Sequence, residues 1–393
     1  MDYQQLISTT VRELPPSGIR KFFDIVSEMK DALSLSVGEP DFTTPWNICE
    51  ASIYSLERGQ THYSSNWGTI SLRGEIARYL KTRYALEYDP KDEIIVTVGA
   101  SEGIDIALRA LVNPGEEVLV PDPSFVAYMP GVRLAGGVAV PVKTSAENGF
   151  KITPEELRAA ITPKTKALIL SYPNNPTGAV MERADLEAIA GVLRETGVIV
   201  LSDEIYSELT YGSERHVSFA AIDEMRERTV LLNGFSKAFA MTGWRMGYLC
   251  APRELAAMMC KIHQYTIMCA PVQGQAAAEE ALASGFENGY AQVEKMRRVY
   301  DQRRRLLFKG FNEMGLSCFE PLGAFYLFPS IQSTGLSSEV FCERLLREEK
   351  VALVPGTAFG ESGEGYVRCC YAVATDVIIE AMKRIRRFVE GLK

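Results

Sequence analysis

Lys237 stands alone in NGFSKAFAMTGWRMGY (233–248), a run of small, aromatic and apolar residues whose only other cation is Arg245, eight positions on. A surface lysine lies along a polar face with its ammonium in water, and this run offers no such face. Asp203 raises the opposite problem at the end of the apolar run VIVLSD. Burying a carboxylate there is costly unless a cation meets it. After EIIVTV (93–98), the residues Gly99, Ala100, Ser101, Glu102 and Gly103 start a helix on small side chains. Such a start lets backbone N–H groups and the helix dipole meet an anion, and phosphate is the natural candidate. The spacing matches neither G-x-x-x-x-G-K-[ST] nor G-x-G-x-x-G. The loop YPNNPTGAV (172–180) presents Asn175 between two prolines, and Tyr206 follows Asp203 by three positions.

These residues need elements that bring them together. From about residue 94, short β-branched runs alternate with amphipathic stretches, which predicts βαβ units and a mainly parallel central sheet, an α/β fold. EIIVTV, EVLVPD, VAVPV, KALILSYP, VIVLSD and TVLLNGF read as strands, and Ile104, Ala107, Leu108 and Leu111 mark the buried face of the helix after the first. In open parallel sheets ligands bind beyond the carboxyl ends of the strands, where Asn175, Asp203 and Lys237 fall. After about residue 285 one long charged helix, roughly 286–314, leads into short strands and helices. This pattern predicts a large domain over 45–285 and a smaller α/β domain from 1–44 plus 286–393.

Composition removes several other functions. A net charge of −8 leaves no basic surplus for a phosphate backbone, which argues against nucleic acid as a partner. Eight cysteines without C-x-x-C spacing, and three histidines (His62, His216, His263), provide neither a disulfide framework nor a metal site. Cys369 and Cys370 are read as small residues of a buried strand. With no leader-like N-terminus and no stretch approaching a membrane span, the expected location is the cytoplasm.

VGEPDF (37–42), NPTG (175–178), SDEIY (202–206) and GFSKAFAMTGWRMGY (234–248) occur in one order and spacing that resembles the class I and II aminotransferases, fold-type I enzymes that use pyridoxal 5'-phosphate (PLP). The resemblance extends from about residue 18 to the C-terminus. It implies that Lys237 forms the Schiff base with PLP, which explains its apolar setting: only an unprotonated amine attacks an aldehyde, and desolvation with a nearby cation lowers a lysine's pKa. It implies that Asp203 meets the protonated ring nitrogen and that Tyr206 and Asn175 bond the phenolic oxygen. Arg245, with N–H groups of Ala100 and Ser101, would hold the phosphate, and Phe125 would stack on the ring. Tyr63 matches a tyrosine that crosses from a partner subunit, implying a homodimer with shared sites. Gly234 departs from the pattern, because some branches carry serine three residues before the lysine; Ser236 or a backbone group is expected to take over that contact.

By the same resemblance Arg368, in GEGYVRCCYA, grips the substrate α-carboxylate, and Gly38 lets substrate approach the backbone. The implied reaction moves an amino group from an L-amino acid to a 2-oxo acid such as 2-oxoglutarate. Aromatic or broadly apolar donors are expected, with acidic ones such as aspartate tolerated. Two alternatives share the scaffold: a carbon-sulfur lyase of the cystathionine β-lyase kind, and a ligand-sensing regulator. The second needs a DNA-binding domain, for which only about 20 residues precede the matched region.

Overall fold

The computed structural model describes residues 1, 3–16, 18, 29 and 31–392. Any packing expected of the N-terminal segment over 19–28 falls outside the described residues. Strand β1 (Leu33–Ser34) precedes seven strands that build the main sheet: β2 (Ile94–Thr97), β3 (Glu117–Asp122), β4 (Val138–Lys143), β5 (Thr165–Ser171), β6 (Ile199–Asp203), β7 (Thr229–Gly234) and β8 (Gly247–Cys250). Their order is β2-β8-β7-β6-β5-β3-β4. All neighbours are parallel except at β8, which runs antiparallel to both β2 and β7. The sheet is therefore mixed, though mostly parallel as expected. The sequence pattern passed over β8: its residues lie just beyond the apolar loop that carries Lys237 and extend that texture without a break.

β2, β6 and β7 are apolar for most of their length because helices cover both faces of the sheet. Val230, Leu232, Ile169 and Leu249 point to the layer formed by helices Gly99–Leu111 and Arg253–Thr266. Leu231 and Val96 point the other way, into helices Ile70–Tyr84 and Val272–Glu287, and Leu168 and Val200 into helix Arg183–Leu193. This two-residue alternation aims consecutive side chains at opposite layers. It also sends the last residue of β6, Asp203, to the face opposite Glu204.

Beyond the main sheet, β1 pairs in parallel with β10 (Val351–Ala352), while β9 (Tyr326–Leu327), β11 (Val354–Pro355) and β12 (Val367–Cys370) form an antiparallel sheet in the order β11-β12-β9. Cys369 and Cys370 lie buried in β12. The single helix expected over roughly 286–314 forms but starts about five residues later than expected. Helix Val272–Glu287 ends, Gly289 and Tyr290 take left-handed φ angles of +65° and +58°, and a new helix runs Ala291–Glu313. The asparagine-glycine pair at 288–289 is a turn signal that the continuing run of charges hid.

Candidate active site

Every expected site residue except Tyr63 borders one cleft at the carboxyl ends of β5, β6 and β7. Lys237 and Ser236 follow β7; Ala100 and Ser101 open the helix after β2; Phe125, Asn175, Asp203, Tyr206, Arg245, Gly38 and Arg368 complete the set. Tyr63 is 81% exposed and lies apart from this cleft within the chain. Tyr128 and Ser171 also line the cleft and were not anticipated; Tyr326 lines it too, from the segment GAFYLFP (323–329), which the family resemblance sets at the border of this pocket. A tyrosine reads as core from sequence alone. Tyr128 could have been found from its place three residues after Phe125 in the same strand-end loop.

The Asp203 carboxylate is buried. Tyr128 Oη donates to its Oδ2 at 2.7 Å and lies 2.8 Å from Ser171 Oγ, and the Ile205 N–H donates to Oδ1 at 3.2 Å. Burial raises its pKa above the ordinary aspartate value, partly offset by Tyr128 and the Ile205 amide, while buried Glu204 raises it further and Lys237 lowers it. This acid is costly to ionise until a cation faces it.

Lys237 is partly buried, and its Nζ donates to the Gly38 carbonyl at 2.7 Å. The rings of Phe325 and Tyr206 lie 5.4 and 5.7 Å from that nitrogen. Burial, assisted by Arg368 and Arg245, lowers its pKa to about 8, against the opposing effects of Cys370 and Glu39. Roughly a tenth of the amine is then unprotonated at pH 7, against roughly one part in 3,000 at the ordinary 10.5. The cofactor-free protein should therefore capture PLP at a rate that climbs with pH up to about 8 and levels off above it. Stopped-flow absorbance checks this; a rate still climbing tenfold per unit at pH 10 would contradict it.

The helix start after β2 is built for close approach. Gly99 has φ +72°, and a Cβ there would lie 2.6 Å from Arg245 Nη2; one on Gly247 would meet the Ala100 nitrogen at 2.6 Å. The exposed Arg245 guanidinium thus packs on the first turn of the helix, and its Nη1 donates to the Thr242 carbonyl at 3.0 Å. Glu102, the acid nearest this seat, turns back to accept from the Val98 N–H at 2.5 Å and to pair with His263 Nδ1 at 2.6 Å. At Gly234 a Cβ would sit 2.9 Å from the Met246 carbonyl oxygen and 3.0 Å from the Gly247 Cα. Serine has no room there, and Ser236 borders the cleft instead.

Arg368 is 3% exposed. Its Nη1 donates to Asn175 Oδ1 at 3.0 Å and its Nη2 to the Ser36 carbonyl at 2.6 Å. Tyr326 and Phe359 lie over its guanidinium at 4.5 and 4.6 Å, and its Nε is buried without a partner. A guanidinium bonded only to neutral oxygens in a buried site is poised for an anion. Tyr326 Oη lies 2.8 Å from Tyr206 Oη and occupies the space a Cβ on Gly38 would need.

The donor set fits PLP: a cationic helix start for its phosphate, a desolvated carboxylate for a protonated ring nitrogen, and an amine of lowered pKa for its aldehyde. Residues 30–385 match the family model described as Aminotransferase class I and II. The aspartate aminotransferase of Pyrococcus abyssi is 48% identical over 378 residues, covering 96% of this chain and 97% of that one. The aromatic-amino-acid aminotransferase 2 of Thermococcus litoralis is 45% identical, covering 98% and 99%. Among solved structures, the aromatic aminotransferase from Pyrococcus horikoshii superposes with a TM-score of 0.90 at 47% identity, covering 94% of this chain and 99% of that one. The chain belongs to the class I and II aminotransferases and is a PLP-dependent enzyme of the aspartate and aromatic aminotransferase-like kind. Both of these curated relatives are named as aminotransferases. Among the described residues no helix is long and apolar enough to cross a membrane.

Proposed function

We propose that this enzyme moves the amino group of an aromatic or broadly apolar L-amino acid, with aspartate tolerated, to 2-oxoglutarate. The observation that carries this reading is the buried Arg368, held by neutral partners in the same cleft as a lysine whose pKa lies near 8. Arg368 binds the α-carboxylate common to all donors. Besides Arg245 at the helix start, no other guanidinium among the described residues borders the cleft, and Phe125, Tyr128 and Tyr326 supply aromatic walls. Both features favour an uncharged side chain.

When bound, PLP supplies an aldehyde for the amino group and a ring that takes up electron density from the substrate's Cα. Arg245 and the first N–H groups of helix Gly99–Leu111 hold the phosphate, Tyr206 and Asn175 the phenolic oxygen, and Phe125 a ring face. Asp203, oriented by Tyr128, keeps a positive charge on the ring nitrogen. Lys237 is the residue that holds the cofactor covalently. Once freed, its Nζ would take the proton from the substrate's Cα and deliver it to the cofactor's former aldehyde carbon, and would carry a proton the opposite way in the reverse half of the cycle.

For the division into a cofactor-bearing part (45–285) and a covering part (1–44 with 286–393), the support is an apolar core that joins Leu35 to residues between Met296 and Val389, into which Tyr206, Leu209 and Tyr211 of the first part also pack. A homodimer is supported by the exposed apolar side chains Trp46, Ile53, Tyr54, Leu56 and Ile70, of which Tyr54 lines the same hollow as Tyr63. Free thiols at all eight cysteines suit a cytoplasmic location. A panel of L-amino acids assayed with 2-oxoglutarate for glutamate formation tests the reading. Phenylalanine and tyrosine should react fastest and aspartate more slowly; transfer from aspartate alone would overturn the donor assignment.

A further inference from the structure

Asp122 ends β3 immediately before the loop that carries Phe125 to the cleft, yet its side chain turns away toward residues 356–363. Its Oδ2 accepts from Ser362 Oγ at 2.9 Å and from the Ser362 N–H at 3.2 Å. Its Oδ1 has no hydrogen-bond partner and lies against Gly360, so that a Cβ there would sit 1.6 Å from it. Gly360 has φ +136°, a conformation open to glycine, and no other residue type fits beside that oxygen. Two residues on, the Ser124 N–H donates to the Phe359 carbonyl at 3.0 Å. The Thr144 N–H and Oγ1 both donate to the Asp122 carbonyl, at 2.9 and 3.2 Å, which fixes the strand end from behind.

Phe359 connects this junction to substrate. It is buried, and its ring lies 4.6 Å from the Arg368 guanidinium. Asp122 thus stands between two walls of one cleft: Phe125 on the cofactor side, and Arg368, backed by Phe359, on the side assigned to the substrate carboxylate. A 2%-exposed carboxylate with one oxygen unpartnered is expensive to keep at a purely structural corner.

We propose that Asp122, through Ser362 and Gly360, is a positioning residue that sets the register of the Arg368–Phe359 wall against the cofactor wall, and so determines how tightly the substrate's α-carboxylate is gripped. The proposal rests on the reading of Arg368 given above. It assigns Asp122 to substrate affinity, not to the proton transfer at Lys237.

The test uses the PLP-loaded enzyme and three variants, Asp122→Ala, Asp122→Asn and Gly360→Ala, with Arg368→Lys as the reference. Losing two hydrogen bonds to a charged group should raise KM for the amino donor by ~10–100-fold while kcat falls less than ~3-fold. Binding of the unreactive carboxylate 3-phenylpropionate, followed by the shift of the cofactor absorbance, should weaken by the same factor. Asp122→Asn keeps an acceptor for Ser362 and should recover most of that loss. Gly360→Ala should reproduce the Asp122→Ala split, because its methyl displaces the same oxygen. Thermal melts separate this from loss of fold, since a merely unstable variant loses active enzyme and therefore apparent kcat, with KM unchanged. If Arg368→Lys weakens 3-phenylpropionate while Asp122→Ala and Gly360→Ala leave it unaltered, the positioning role is refuted and the arginine assignment stands. If Arg368→Lys has no effect either, the arginine assignment itself is wrong.

Discussion

Lys237→Ala should lower kcat by at least ~10,000-fold and remove the visible absorbance that the loaded enzyme gains with PLP. The size follows from two losses at one nitrogen: covalent capture of the cofactor and the proton carrier at the substrate's Cα. No other amine among the described residues borders the cleft to replace it. The loss cannot be put down to a damaged fold. Below about pH 8 the folded cofactor-free chain holds this ammonium at a cost, because burial lowers its pKa. Alanine removes that cost, so the cofactor-free variant should melt at or above the wild-type temperature near pH 7. A small primary amine such as methylamine, added at high concentration, should restore part of the rate. A variant retaining more than ~1% of the wild-type kcat together with the absorbance band would refute the assignment.

Asp203→Asn should reduce kcat by ~10–1,000-fold with little change in the fold. Asparagine keeps the size of the side chain and an acceptor for Tyr128 Oη, and it loses only the negative charge. An opposite charge at contact shifts a pKa by ~1–3 units, or ~1.4–4 kcal/mol, which is the range of rate quoted. Since burial already raises the pKa of Asp203, the carboxylate earns its ionised form only against a cation, and a protonated ring nitrogen is the cation proposed. The pH at which the cofactor absorbance changes should move in the variant. A kcat within threefold of wild type would sink the proposed pairing.

Much of this site was legible in the sequence because its residues violate the usual match between side chain and surroundings. Lys237 without a polar face, Asp203 at the end of an apolar strand and Arg368 between Val367 and Cys369 each signal a group whose partner comes from elsewhere. The fold class was legible because buried strands and amphipathic helices carry different periods. What escaped notice had ordinary local chemistry. Tyr128 and Tyr326 are aromatic residues in aromatic surroundings, and their individual parts appear only when the ends of β3 and β6 and strand β9 of the second sheet meet at one cleft. β8 is short and opens on glycine, so nothing marks it as a strand until β2 and β7 flank it. Asp122 read only as the last residue of the strand EVLVPD, because its neighbours Gly360 and Ser362 lie more than two hundred residues away in the chain.

The antiparallel placement of β8 has a consequence for how this enzyme can change over time. Gly234 faces Gly247 across β7 and β8, so the segment bearing both Lys237 and Arg245 leaves and re-enters the sheet at a single point. Whatever happens elsewhere, the lysine and the arginine travel as one cassette. The cleft walls Tyr326 and Arg368, in contrast, come from the far end of the chain, and on the proposed reading they shape the preference for donors. New appetites can therefore arise by drift in that distant portion while the anchoring unit is inherited intact.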